Sequence, residues 1–225
     1  MSSAAIAGIG ALSEPARAAL YRFVAAQPEP VGREQAAAAV GIAVHSAKFH
    51  LDRLVDEGLL EVEFRRLTGR SGPGSGRPAK LYRRSTVELS VSLPQRRYDL
   101  AGDVLATAIE RSSAGDVPVA TTAREVALEA GRAAGSESPR RRSETERALR
   151  ALSDLGYEPR GVDDGIVLVN CPFHALARAH TELVCGINEV FVEGVLEGLG
   201  CSSLQARLEP HPTMCCVRIR ARGED

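Results

Sequence analysis

Gly41 and Gly58 constrain this chain most. Each stands directly after a stretch of helical periodicity, where a glycine can take the left-handed conformation that closes a helix. Around them the sequence reads as two short helices, Arg33 to Val40 and Val44 to Glu57, joined by a tight turn at Gly41-Ile42. Two short helices across such a turn form a helix-turn-helix. In the second, Phe49 or Leu51 supplies the buried stripe together with Leu54 and Val55. An earlier helix opens at Ser13, which suits an N-cap. Glu14 and Pro15 follow in its first turn, and Ala16, Ala19, Leu20, Phe23 and Val24 recur at helical spacing until Gln27-Pro28.

After Gly58 the pattern changes. Leu59 to Arg66 reads as a strand, Leu67 to Gly76 is rich in Gly, Ser and Pro, and Pro78 to Arg84 reads as a returning strand, which together make a β-hairpin with a long tip. Its seven basic residues, Arg65, Arg66, Arg70, Arg77, Lys80, Arg83 and Arg84, come with no acidic residue between Arg65 and Arg84. Such a hairpin can track the phosphates of double-stranded DNA.

A formal charge of -1 over 225 residues argues against a nucleic-acid partner until it is mapped by position. Residues 1 to 85 hold 12 basic and 8 acidic side chains, or +4, and the remainder holds 16 and 21, or -5. Neutrality is thus a cancellation between a basic reader and an acidic body. In the helix from Val44, His45, Ser46, Lys48 and His50 are the candidates for the major groove, and Lys48 and Arg53 equally suit phosphate. The competing reading of any one of them is a solvated helix face, and of His50, packing against its own domain.

Beyond residue 85 the pattern is α+β, with helices packed on an antiparallel sheet. Tyr98 to Arg111 reads as a helix, and Ala114 to Pro139 is ambiguous because Gly131 and Gly135 interrupt a helical composition. Ser143 and Glu146 have the spacing of a capping box for a helix ending at Gly156. Strands follow at Tyr157 to Arg160 and Ile166 to Asn170, helices at Phe173 to Leu183 and Cys185 to Leu199, and strands at Ser203 to Glu209 and Cys215 to Arg220. Gly194 and Gly198 permit close approach of another element, a partner subunit among the options. The division expected is a winged helix-turn-helix domain over 1-85 and a sensor and dimerisation domain over 86-225.

All five cysteines lie between 171 and 216. No stretch without Asp, Glu, Lys or Arg exceeds 13 residues, short of the roughly 20 needed to span a bilayer. No signal peptide is evident either, so a cytoplasmic protein without a membrane partner is expected. In a reducing compartment clustered cysteines serve as metal ligands or redox groups more often than as disulfides, the alternative being small buried side chains. Thirteen residues separate Cys171 from Cys185 and twenty-nine separate Cys185 from Cys215, spacings that only a folded domain brings together. Alternation with Val217 and Ile219 puts Cys215 on the apolar face of the last strand and Cys216 on the charged one. Cys201 is left as a spare.

Glu14-Pro15-Ala16-Arg17, His50-Leu51-Asp52-Arg53-Leu54 with Gly58-Leu59, and Gly76-Arg77-Pro78-Ala79-Lys80-Leu81-Tyr82 resemble the winged-helix domain of ArsR-like bacterial transcription regulators over residues 13 to 84. The remainder resembles the sensor domain of SufR-type repressors of iron-sulfur assembly operons. Leu155-Gly156-Tyr157-Glu158-Pro159, Asn170-Cys171-Pro172-Phe173-His174, Leu183-Val184-Cys185 and Cys215-Cys216-Val217-Arg218-Ile219 carry that likeness. It implies a [4Fe-4S] cluster held by three cysteines, which map to Cys171, Cys185 and Cys215. The spacing departs from that family's, and His174 and His180 are added, so a zinc site of Cys171, His174, Cys185 and Cys215, or a small organic ligand, is the alternative. One helix-turn-helix per chain reads one half-site, so a homodimer on a pseudo-palindromic operator is expected. No G-x-S-x-G, G-x-x-x-x-G-K-[ST] or H-E-x-x-H motif is present, and an enzyme is not expected.

Overall fold

The first helix, α1 (Ser3–Ala11), is made of small residues and buries Ala5, Gly8 and Ala11; nothing in the periodicity announces it. The computed structural model describes residues 3–66, 78–136 and 142–223. The chain divides into two compact units, Met1–Val91 and Ser92–Asp225. The division falls past residue 85 because Leu89 packs on the core of the first unit.

In that unit α2 (Pro15–Ala25) is capped by Glu14, whose carboxylate accepts from the Ala16 and Arg17 backbone N–H groups. Ser13 was the expected cap; its hydroxyl instead donates to Gly10 O at 2.7 Å. A short strand β1 (Val31–Gly32) precedes α3 (Arg33–Val40), which closes at Gly41 with φ 73°. Next, α4 (Val44–Asp56) ends before Gly58, where φ is 74°. Its buried side chains are Ala47, Leu51 and Leu54, so Leu51 and not Phe49 serves the core. Strands β2 (Leu60–Arg65) and β3 (Ala79–Arg84) pair antiparallel, and β1 adds to β3, giving the order β1-β3-β2. The hairpin tip, with Arg70 and Arg77, lies outside the described residues.

The second unit is α+β, as expected. Helix α5 (Tyr98–Ser113) is followed by α6 (Val119–Ser136), a single helix that runs through Gly131 and Gly135. The ambiguity over this stretch resolves to helix as far as Ser136: the glycines meet Gly194 and Gly198 of α9 (Thr181–Leu199), where the two backbones come too close for any Cβ. Gly194 and Gly198 therefore serve a contact within the chain. Helix α7 (Glu144–Asp154) carries the expected capping box, with Glu146 N donating to Ser143 Oγ at 3.3 Å and Ser143 N donating to Glu146 Oε2 at 3.1 Å.

Strands β4 (Pro159–Val162), β5 (Gly165–Leu168), β6 (Leu204–Leu208) and β7 (Val217–Ala221) form an antiparallel sheet of order β4-β5-β7-β6. Ile166, Val167 and Leu168 are buried on both faces. The short helix α8 (His174–Ala179) leads into α9, which begins four residues before Cys185, the start expected for it. Along the outer edge of β6, Ala206 N donates to Glu193 Oε2 at 2.6 Å and Leu208 N to Glu189 Oε1 at 3.1 Å. Both glutamates come from α9. Among the described residues no helix is long and apolar enough to cross a membrane.

Candidate functional site

In the first unit the site is the outer face of α4 with the hairpin beside it. Because α4 buries Ala47, Leu51 and Leu54, the opposite face turns His45, Lys48, Phe49 and Arg53 outward. With Arg17, Asp52 and Asp56 they line a concavity of about 410 Å³. Ser46 is half-buried on the same helix.

Asp52 organises this face. Its carboxylate accepts from Lys48 Nζ at 2.8 Å, Lys80 Nζ at 2.6 Å and the Tyr82 hydroxyl at 2.8 Å, so one side chain of α4 holds two residues of β3. Burial alone would raise its pKa, but the three hydrogen bonds prevail and hold it at about 2. Burial and the Asp52 charge push the Tyr82 phenol upward. Lys48 and Lys80 thus have an internal partner, though both side chains stay partly exposed.

The hairpin charges are less free than a count from Arg65 to Arg84 suggests. Arg65 pairs with Glu63 and Glu29, and Arg83 with Glu61, its cross-strand neighbour. Arg53 pairs with Glu57 one turn along α4. Arg66 and Arg84 are exposed and have no ion-pair partner among the described residues. His50 faces inward: its side chain is 18% exposed, and Nδ1 lies 3.7 Å from the Glu14 carboxylate with no hydrogen-bond partner among the described residues. This is the packing against its own domain that was the competing reading of the residue.

In the second unit, Cys171, Cys185, Cys215 and Cys216 line one cavity of about 490 Å³ with His174, His211, Arg96 and Arg178. The turn after β5 brings Cys171, α9 brings Cys185, and the approach to β7 brings Cys215 and Cys216. Cys215 is buried, anchored by its own N–H to Leu168 O at 2.9 Å, and Cys216 is half-buried. A hydrogen bond with the Cys215 thiol, opposed by burial and helped by the Phe173 N–H and Arg96, lowers Cys171 to about 7. The same contact and deeper burial raise Cys215, so the negative charge of the pair belongs on Cys171. Burial, then the contact with Cys216, pushes Cys185 up to about 12.

Behind the thiols Arg96 Nη1 donates to Cys171 O at 2.6 Å and to Asn170 Oδ1 at 2.8 Å. Asn170 in turn donates to Gly156 O and Gln95 O, which fixes the loop carrying Cys171. Asn188, 2% exposed, donates to Cys215 Sγ at 3.3 Å and accepts from the Tyr157 hydroxyl. None of Arg96, Asn188 and His211 was marked by the sequence; the partners of Arg96 and Asn188 are distant in the chain. His211 Nδ1 accepts from the Thr213 and Met214 N–H groups. His180 is exposed at the junction of α8 and α9. Cys201 is buried elsewhere, against Arg147 and Glu144. Among the described residues no set of three or more His, Cys, Asp or Glu side chains converges on a single metal-ion position.

A family model described as a helix-turn-helix domain matches residues 12–63, less than half of the chain. The first unit carries a helix-turn-helix. This supports a DNA-binding transcription regulator. No curated protein and no solved structure matches the chain.

Proposed function

We propose that the protein is a cytoplasmic transcription repressor that binds a pseudo-palindromic operator as a homodimer and senses an iron-sulfur cluster or thiol redox state. The observation that carries the sensing role is the cavity on which Cys171, Cys185, Cys215 and Cys216 come together from separate elements. Thiolates are the usual ligands of iron-sulfur clusters. The same lining includes His174 beside the thiols, so a zinc ion held by Cys171, His174, Cys185 and Cys215 is the alternative. Cys171, Cys185 and Cys215 would hold the cluster, and Cys216 stands beside them. When bound, a [4Fe-4S] cluster supplies a centre whose charge and presence follow redox conditions. Arg96 offsets negative charge at Cys171, and the Asn188 amide donates to the Cys215 sulfur, the kind of outer contact that tunes a metal site.

The α4 face and the exposed Arg66 and Arg84 would meet the DNA. Each chain offers one reader to one half-site, so a change in the sensing unit alters operator affinity by shifting the balance between states of the dimer. The test is purification without oxygen, with visible spectrum, iron and sulfide content, and operator binding before and after cluster removal. Bound iron and sulfide that disappear in Cys171→Ser but persist in Cys201→Ser are expected. Colourless, iron-free protein would refute the cluster, and zinc in its place would return the alternative. Failure to bind any duplex would refute the regulator.

A further inference from the structure

Phe49 is a large apolar side chain that the packing of the first unit leaves unused. Its ring is 65% exposed in the middle of α4, while Ala47, Leu51 and Leu54 supply the whole buried stripe of that helix. His45, Phe49 and Arg53 succeed one another at intervals of four and so form one row along the outer face. His50, edge-on to Phe49 with ring centroids 5.3 Å apart, backs the ring from the inner side.

The surroundings say what the ring is for. Arg17, His45, Lys48 and Arg53 share its concavity with Asp52 and Asp56; Arg53 is paired with Glu57, while Lys48 and Lys80 together outnumber Asp52, so with Arg17 the rim keeps a small net positive charge. A cationic rim suits a polyanion better than a second copy of the chain or an apolar peptide. Within the major groove of duplex DNA, the base-edge group that an aromatic side chain matches is the C5-methyl of thymine. We infer that Phe49 is a specificity-determining residue that packs on a thymine methyl in each half-site. This rests on the DNA-binding reading above.

The experiment uses the full-length chain purified without oxygen. A binding site is first selected from random duplexes, and each of its thymines is then replaced in turn by deoxyuridine, which lacks only the methyl. Wild type should bind about fourfold more weakly at one thymine per half-site, the effect of one methyl returned to water. Phe49→Ala should bind thymine and deoxyuridine duplexes equally, about sixteenfold more weakly than wild type binds the thymine duplex because both half-sites lose the contact, with an unchanged melting midpoint because the ring is exposed. Phe49→Leu should restore part of the discrimination. Indifference of wild type to every replacement, or discrimination that survives in Phe49→Ala, overturns the assignment while leaving DNA binding intact. An equal loss on both duplexes with altered oligomeric state places the ring against protein and also overturns it. If no duplex is enriched, the DNA-binding reading fails and this inference with it.

Discussion

Gly131→Ala puts the contact between α6 and α9 to a direct test. An alanine Cβ at this position would lie 2.9 Å from Val195 N and 3.0 Å from Gly194 Cα, and nearer still to Phe191 O. All three are backbone atoms inside a helix, so no side chain can swing aside and the helices must separate. Overpacking of this kind costs about 3 kcal/mol, the upper end of its usual range. Replacing a helical glycine returns at most about 1 kcal/mol. The net loss of about 2 kcal/mol lowers the melting midpoint by roughly 4 to 8 °C for a unit of this size. Calorimetry should show the transition of the unit from Ser92 moving while that of the unit ending at Val91 stays in place. Gly102→Ala is the control: it lies in α5 with nothing within 4 Å of its Cβ, and it should melt at or slightly above wild type. If Gly131→Ala behaves like Gly102→Ala, the two helices do not meet backbone to backbone and the reasoning fails.

Asp52 has a folded-state pKa near 2 against an ordinary 3.8, so its contribution is complete above 3.8 and is lost as pH falls toward 2. Asp52→Asn should destabilise the first unit by about 1 kcal/mol at neutral pH, discounted for partial exposure. In urea titrations the gap from wild type should close over that acid window, and a constant gap would contradict the assignment. Asn188→Ala strips the buried Tyr157 hydroxyl of its acceptor and should cost about 1 to 3 kcal/mol. Tyr157→Phe in that background should recover part of the loss, and no recovery would mean that the hydroxyl does not depend on Asn188. Arg66→Ala should flatten the slope of log affinity against log salt by about 1.8, the value for two phosphate contacts, one from each chain of the dimer. Arg83→Ala, already paired with Glu61, should change it less, and equal slopes would show that the ion pair does not matter.

Features that depend on a few adjacent residues were legible in the sequence. The helix ends at Gly41 and Gly58 and the Ser143 capping box are local geometry, and they stand where the residues place them. Gly131 and Gly135 misled because a glycine inside a helix is explained only by the element it touches, and the residues of α9 that they meet are some sixty positions further on. The uncompensated charge expected of the hairpin overlooked Glu61 and Glu63, which lie just outside the counted stretch yet directly across or beside the arginines. That His50 packs against its own domain was one of the two readings of the sequence; that Glu14 is its neighbour was not legible, because the two are far apart in the chain. For the cysteines, alternation correctly buried Cys215 but put Cys216 on the charged face; the strand starts only at Val217, so both residues precede it and both line the cavity.

The two glutamates that α9 lends to β6 have a consequence for assembly. An outer strand with free N–H groups is a template for another strand, whether from a second copy or from an aggregate. Glu189 and Glu193 occupy two of those donors with carboxylates, and Arg222 anchors Glu193 in turn at 2.6 Å. A strand arriving at this border would have to displace charged acceptors before forming its first hydrogen bond. The sheet is sealed on that side, so a second copy that joins this unit must be met by its helical surfaces or by the short β4 border, and misassembly by strand exchange is suppressed where it would otherwise begin.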